Sequence, residues 1–173
     1  LLVGSPDLHV PFDAAVLKER GWGQVHASSY GFLLSSLELH LNSVFRNVLG
    51  KPSLQKKWFL LGRWDRKLWN VTNDAGVTAE LTDPQLKQFA QYHYPVYALG
   101  YNWLQSNALS ADRLERRIHD IIKFWHDRKQ QCSQVILVTH SMGGLVARAC
   151  AKRIPDKVLG IVHGVMPALG APV

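Results

Sequence analysis

The most reactive arrangement of residues in the chain is a serine between a β-forming run and a helix-forming segment. Residues 135–151 have the sequence VILVTHSMGGLVARACA, in which the serine is Ser141. A run of β-branched apolar residues predicts a strand that is buried on both faces in a parallel sheet. A sharp strand-to-helix turn would lift the Ser141 hydroxyl to the top of that sheet, as in a nucleophile elbow. Ser141 is therefore the candidate nucleophile, and a serine in an ordinary β-to-helix loop is the alternative.

Small residues around Ser141 favour such a turn. Gly143 and Gly144 predict a helix so close to the strand that a Cβ atom would have no room. The motif departs from G-x-S-x-G at its first position, where Thr139 stands in place of glycine. His140 is adjacent, but neighbouring side chains on this turn point apart, so we interpret it as a turn-packing residue.

Acyl transfer by a serine also needs a base, an acid that orients the base, and donors for the oxyanion. The backbone N–H after the nucleophile is one such donor, which assigns Met142 to the oxyanion. The second donor is not identified. We interpret Asp156 as a solvated turn residue and His163 as a packed or mouth-lining histidine. The acid and base are expected outside this chain, which alone should be inactive.

Three segments resemble one family: YPVYALGYNW at Tyr94–Trp103, the THSMGGLVARA segment, and VLGIVHGVMPALGAP at Val158–Pro172. They are similar to α/β-hydrolase lipases and acyltransferases, particularly the branch of lecithin–cholesterol acyltransferase and GPI inositol-deacylase. The resemblance is strongest over residues 94–173 and loose over 1–93. It implies a Ser-His-acid triad and ester or acyl chemistry on hydrophobic substrates.

Strand and helix patterns alternate after Pro95. The predicted elements are strands at Val96–Leu99, Val135–Thr139 and Val158–His163, a helix capped by Ser110, and an elbow helix to about Arg153. This alternation predicts βαβ crossovers, hence an α/β-hydrolase fold with a parallel-sheet core and flanking helices.

Ligands of such sheets bind beyond the carboxyl ends of the strands. That places residues 100–103, the serine and residues 164–170 around one mouth. Tyr101, Asn102 and Trp103 could line an acyl pocket there. Aromatic residues packed under a cap are the alternative.

The first half of the chain has weaker patterns. The predicted elements are helices at Phe12–Arg20 and Phe32–Val48, a strand around Gln24–Ser28, and a helix capped by Asp83 that runs to about Tyr92. Residues 50–82 are irregular and form a candidate cap or insertion. With 173 residues, the chain is predicted to be a single partial domain over 1–173. We expect the fold to be incomplete at its C-terminus and also at its N-terminus.

The net charge of +7 is concentrated locally, because basic residues alternate with tryptophans over residues 51–69. A solvated face with core tryptophans is the first interpretation of this basic stretch. Contact with an anionic membrane surface is the second, since it suits an enzyme that acts on lipids. Nucleic acid is not expected, because no recognition motif accompanies the charge.

Cysteine and histidine usage predicts neither a disulfide nor a metal site. Cys132 precedes a predicted strand and Cys150 lies in the predicted elbow helix. Neither cysteine has other ligand residues around it at the spacing of a metal site. Free thiols favour a reducing compartment such as the cytoplasm, although the sequence does not determine the location. The remaining histidines form no zinc motif, and we expect no cofactor.

These observations favour a serine hydrolase that acts on carboxylic esters, such as an esterase or lipase. An acyltransferase would use the same nucleophile and differ only in which acceptor reaches the acyl-enzyme. A non-catalytic chain that binds a lipid or a protein is a third hypothesis, and it requires the acid and base to be truly missing. A nucleic-acid-binding module over 51–69 is a fourth.

Overall fold

A computed structural model describes residues 12–42, 45–46, 52–53, 82–89 and 91–170. These residues fall into two compact units that divide between Ala98 and Leu99. Apart from Pro52, Ser53 and Thr82, the basic stretch 51–69 and the candidate cap over 50–82 lie outside the described residues. Both therefore stay predictions, as does the single-domain interpretation.

Helices make up most of the described part of the first unit. Its elements are α1 (Ala14–Glu19), a 3-10 turn (Trp22–Gln24), α2 (Ala27–Asn42), α3 (Asp83–Phe89) and a short antiparallel pair of β1 (Phe45–Arg46) and β2 (Pro52–Ser53). The prediction of the first helix is confirmed. Asp13 caps it, because its carboxylate accepts a hydrogen bond from the Val16 N–H at 2.9 Å.

Two predictions for this unit are wrong in position. No strand forms at Gln24–Ser28, because Gly21 adopts a left-handed φ of 77° and starts the 3-10 turn that leads into α2. The helix predicted over Phe32–Val48 begins at Ala27 and ends at Asn42. Its buried face includes both Leu34 and Glu38, so the apolar pattern predicted the helix but not the charged residue on its packed side.

The third helix has a different cap from the predicted one. Thr82, not Asp83, precedes the helix and forms a capping box with Gln85. Gln85 Oε1 accepts the Thr82 N–H at 2.8 Å, and Thr82 Oγ1 accepts the Gln85 N–H at 3.4 Å. Asp83 lies in the first turn, and the helix ends at Phe89.

The segment predicted as a strand at Val96–Leu99 does not pair as a strand with any of the described residues. Side chains of α2 bind the backbone of this region instead. Asn42 donates to the Tyr94 carbonyl at 2.8 Å and accepts the Tyr94 N–H at 2.7 Å. Glu38 accepts the Val96 N–H at 2.8 Å. Within this unit, side chains thus supply bonds that a neighbouring strand would otherwise make.

The second unit contains the parallel sheet that the sequence predicts. Its elements are α4 (Asn107–Asp127), β3 (Val135–His140), α5 (Gly143–Arg153), a 3-10 turn (Pro155–Lys157) and β4 (Val158–Gly164). The two strands run parallel with Val135 opposite Val158 and His140 opposite Gly164. The predictions of both strands and of the elbow helix are confirmed.

The start of α4 differs from the prediction by one turn. Ser106 is the N-cap, and its hydroxyl accepts a hydrogen bond from the Ala108 N–H at 3.2 Å. Ser110, the predicted cap, lies inside the first turn and is fully buried. The helix has room to begin earlier because residues 103–105 already form a turn.

Residues of α4 and α5, together with Ile154 directly after α5, form the core of the second unit. Five residues are buried together there: Ala111, Ile118, Val146, Cys150 and Ile154. Val135 and Leu137 of β3 pack against them. Ile136 and Val138 point the opposite way and are 50% and 52% exposed. Burial of β3 on both faces is therefore wrong for the described residues, because these helices cover only one face.

Burial should make one of the two thiols unreactive. Desolvation raises the pKa of the fully buried Cys150 thiol to about 11, whereas Cys132 is partly exposed. At pH 8, about one in a thousand Cys150 groups would be thiolate, and the thiolate is the reacting form. We expect Ellman's reagent to titrate Cys132 in the native protein and both thiols after denaturation. Rapid native reaction in a Cys132→Ser variant would contradict this prediction.

Candidate active site

Ser141 occupies a strained turn between β3 and α5. Its φ of 52° lies in the left-handed region, which costs a non-glycine residue about 1–3 kcal/mol. Two backbone hydrogen bonds maintain this conformation. The Ser141 N–H donates to the Gly164 carbonyl at 2.8 Å, and the Ser141 carbonyl accepts the Gly144 N–H at 3.0 Å. The turn thus has the sharp geometry expected of a nucleophile elbow.

Met142 follows at the N-terminus of α5 with helical φ and ψ of −55° and −23°. Its carbonyl accepts the Leu145 N–H at 3.0 Å. Its own N–H precedes the first intrahelical hydrogen bond and lies at the positive end of the helix dipole. Since the Ser141 N–H already donates to Gly164, the Met142 N–H is the next backbone donor that could bind an oxyanion.

The two glycines of the turn differ in their surroundings. A Cβ on Gly144 would lie 2.5 Å from Met166 Cγ and 2.9 Å from His163 Nδ1, so it would not fit without displacing them. A Cβ on Gly143 would lie 3.6 Å from the Tyr101 hydroxyl, an ordinary contact. Close approach therefore explains Gly144 and does not explain Gly143, which corrects the prediction for that residue.

This difference predicts opposite outcomes for two alanine substitutions. Gly144→Ala should displace Met166 or His163 and destabilise the protein by about 1–3 kcal/mol. Gly143→Ala should leave stability unchanged or raise it by up to about 1 kcal/mol, because alanine is the better helix former. Urea unfolding of both variants measures the two changes. Equal destabilisation of the two would show that contact with Met166 and His163 is not the cause.

Thr139 and His163 form a contact that the sequence did not predict. They lie opposite each other in the register of β3 and β4, and Thr139 Oγ1 is 2.9 Å from His163 Nδ1. Thr139 Oγ1 also donates to the Val162 carbonyl at 3.2 Å. His163 itself is exposed, as a mouth-lining histidine would be. The signal was the pairing of β3 with β4, which brings together two residues that are 24 positions apart in the sequence.

His140 and Asp156 are placed away from this contact. His140 is exposed at the end of β3, on the face opposite the packed side chains of Val135 and Leu137. Asp156 precedes β4, while Ser141 follows β3, so about 20 Å of parallel strand separates them. Asp156 is exposed, and a hydrogen bond from Lys157 is the main cause that lowers its pKa. It is a solvated turn residue and too distant to act with Ser141.

The three candidate pocket residues have different environments. Tyr101 is partly buried against the core, with its hydroxyl near Gly143. The Asn102 side chain accepts a hydrogen bond from the Leu104 N–H at 3.0 Å, so its amide oxygen already stabilises its own turn. Trp103 is largely exposed. Their role in an acyl pocket stays a prediction.

The described residues contain no group of three or more His, Cys, Asp or Glu side chains that could hold a metal ion. Within the same residues, no helix is both long and apolar enough to cross a bilayer.

Comparison with known proteins agrees with the geometry of the turn. Residues 88–173 match the family model described as the PGAP1-like alpha/beta domain. This chain has the α/β-hydrolase fold. The resemblance drawn from the elbow and its flanking segments is thereby confirmed, and the matched range contains all of the second unit. A search of curated protein sequences found no match.

A solved structure extends the likeness to most of the chain. A chain in the crystal structure of the Tle4–Tli4 complex is similar over 93% of this chain, with 32% sequence identity and a TM-score of 0.73. The present chain spans 32% of the length of that chain.

Proposed function

We propose that the protein hydrolyses carboxylic esters of lipid-like compounds through an acyl-enzyme on Ser141. The observation that carries the proposal is the left-handed φ of 52° at a serine between a parallel strand and a helix. A non-glycine residue is strained in this conformation, and such strain is concentrated at functional sites. The family match and the similar solved structure support the same class of enzyme.

In the proposed reaction, Ser141 Oγ attacks the ester carbonyl while a base removes the hydroxyl proton. The tetrahedral oxyanion forms beside the N-terminus of α5, where the Met142 N–H can donate a hydrogen bond to it. The carbon–oxygen bond to the leaving alcohol then breaks, and the alcohol takes the proton. Water releases the acid from Ser141 in a second cycle of the same steps. Neither the acid nor the base of the triad is assigned among the described residues.

The surroundings of Ser141 favour an apolar substrate. Two segments reach the carboxyl end of the sheet, residues 99–111 and 158–170, and neither contains Asp, Glu, Lys or Arg. Large apolar side chains of these segments are exposed: Trp103, Leu104, Leu109, Val162, Val165 and Leu169. Exposed apolar surface next to a nucleophile suits an acyl chain better than a charged substrate.

Covalent labelling tests the nucleophile directly. A fluorophosphonate should react with Ser141 in the complete protein, and mass spectrometry of the digest would locate the adduct. Ser133, in the exposed segment before β3, serves as the matched serine, so a Ser133→Ala variant should label as the wild type does. Labelling that avoids Ser141 would refute the proposal and favour the non-catalytic binding protein.

Product analysis distinguishes the hydrolase from the acyltransferase. With an ester substrate and a long-chain alcohol present, hydrolysis yields the free acid, whereas transfer yields a new ester. We expect the free acid to predominate. A new ester as the main product would keep Ser141 as the nucleophile and change the acceptor.

A further inference from the structure

We infer that Thr139 and His163 form a positioning pair that holds the elbow in its active geometry, an inference that rests on the proposed function. The pair links the ends of β3 and β4. Thr139 lies two residues before Ser141, and His163 lies one residue before Gly164, whose carbonyl accepts the Ser141 N–H. The contacts of the pair are the 2.9 Å approach of Thr139 Oγ1 to His163 Nδ1 and the 3.2 Å bond to the Val162 carbonyl.

The hydrogens of this pair can be assigned from its acceptors. A carbonyl oxygen only accepts, so the single hydroxyl hydrogen of Thr139 goes to Val162. The hydrogen between Thr139 and His163 must then come from Nδ1–H of the imidazole. In the neutral ring, this leaves Nε2 as an acceptor. The bond to Thr139 persists in the protonated ring as well, since Nδ1 carries a hydrogen in both forms.

The imidazole also supports the first turn of α5. His163 Nδ1 lies so close to Gly144 that a Cβ there would be only 2.9 Å away. The next residue, Gly164, supplies the carbonyl that binds the Ser141 N–H at 2.8 Å. The end of β4 therefore contacts the turn at two points, through the His163 ring and through the Gly164 carbonyl.

This arrangement gives a reason for the threonine at the first motif position. Glycine there would leave the His163 ring without its hydroxyl partner. The ring could then rotate away from Gly144 and release the start of α5. Because Met142 N–H lies at that helix start, a shift would misplace the oxyanion donor relative to the Ser141 hydroxyl. Thr139 and His163 thus act through the turn, and neither is assigned contact with the reacting atoms.

Two pairs of matched variants of the complete protein test the inference with an ester substrate. Thr139→Val and His163→Leu remove the hydrogen bond at nearly constant volume, and each should lower kcat about 10-fold, with KM changed less than about twofold. Thr139→Ser keeps the hydroxyl, and His163→Asn keeps a donor near the place of Nδ1. These two should retain kcat within about threefold of the wild type. His126→Ala, in the exposed last turn of α4, is the control histidine.

The double variant decides whether the two residues act as one unit. Combining Thr139→Val with His163→Leu should lower kcat no further than either change alone, because both remove the same bond. Multiplied losses would overturn the inference. So would a His163→Asn variant as slow as His163→Leu, since that result would assign the function to Nε2.

Unfolding measurements and the turnover of Ser141→Ala distinguish a failure of the positioning pair from a failure of the proposed function. Thr139→Val and His163→Leu should each lower the unfolding midpoint, and the double variant should lower it by less than the sum of the two shifts. This result does not depend on whether the protein is active. Additive shifts would show that the bond does not form. Full ester turnover in Ser141→Ala would refute the proposed function alone. Loss of turnover there, with unchanged kcat in Thr139→Val and His163→Leu, would refute the positioning pair alone.

Discussion

Ester turnover by the complete protein is expected to fall by about 10⁴-fold or more when Ser141 is replaced by alanine. The substitution removes the hydroxyl that forms the acyl-enzyme and leaves the helix start in place. Because the Met142 N–H could still bind an oxyanion, a small residual rate is expected rather than none. Initial rates with a short-chain and a long-chain ester measure the loss.

The same position offers a test that does not depend on activity. Ser141 has a φ of 52°, which glycine adopts without strain and alanine does not. Ser141→Gly should therefore be about 1 kcal/mol more stable than Ser141→Ala, although both are inactive. Denaturant unfolding of the two variants measures this difference. A stable and inactive glycine variant would show that the wild-type serine is retained at a cost in stability.

The results for Ser141→Ala and Ser141→Gly test the nucleophile and the left-handed conformation independently. If Ser141→Ala retains wild-type turnover, Ser141 is not the nucleophile, and the strained turn has another purpose. If Ser141→Gly is less stable than Ser141→Ala, the left-handed conformation is not present in solution. Ser133→Ala is the control, since it lies in the segment before β3 and should change neither quantity.

The sequence predicted the second unit well because its signals are local. The β-branched run, the small residues of the turn and the helix after it lie within 17 consecutive residues, Val135–Ala151. Each of these features restricts the backbone by itself. Strand β3, the sharp turn at Ser141 and the helix α5 followed from these local patterns.

Features that depend on distant partners were not predictable in the same way. The bond between Thr139 and His163 exists only once two strands are in register. Exposure of Ile136 depends on which faces the helices of the described chain cover. The N-cap of α4 is Ser106 and not the predicted Ser110. Two serines at that end of the helix could both serve as the cap, and periodicity does not choose between them.

The sequence is a poorer guide to the first unit, because a charged residue lies on the buried face of α2. The pattern over 32–48 predicts an apolar stripe, yet Glu38 is only 2% exposed. Its partner Arg20 belongs to another element and is also buried. No periodicity within α2 indicates such a pair, because the sequence around Glu38 looks like the solvated side of a helix. A buried carboxylate is stable only with the partner present.

Replacing Glu38 with glutamine is accordingly expected to destabilise the first unit by about 3–5 kcal/mol. Arg20 Nη1 lies 3.0 Å from Glu38 Oε1, but it forms no aligned hydrogen bond within the described residues, so the contact depends on charge. Glutamine keeps the shape and an oxygen for the Val96 N–H. It removes the charge that compensates Arg20. The Phe12 ring, 4.5 Å from the guanidinium carbon, would offset only a small part of the loss.

Urea unfolding of the complete protein measures this change, and a surface ion pair provides the matched control. Lys123 and Asp127 are 2.6 Å apart but exposed, so Asp127→Asn should produce no measurable change. A second readout is the imidazole of His93. Desolvation lowers its pKa, Glu38 raises it and Arg20 lowers it. In folded Glu38→Gln, the His93 pKa should therefore fall further below its ordinary value, as an NMR titration would show.

The two readouts together distinguish a buried pair from an exposed one. If Glu38→Gln is as stable as Asp127→Asn and the His93 pKa does not move, then Arg20 and Glu38 are solvated, and the hydrogen bond to Val96 accounts for the placement of Glu38. If stability falls and the pKa moves as expected, charge compensation holds α2 against the segment that follows Tyr94. That segment is the one whose sequence predicted a strand. Its position would then depend on the side chain of Glu38 as well as on its own β-forming residues.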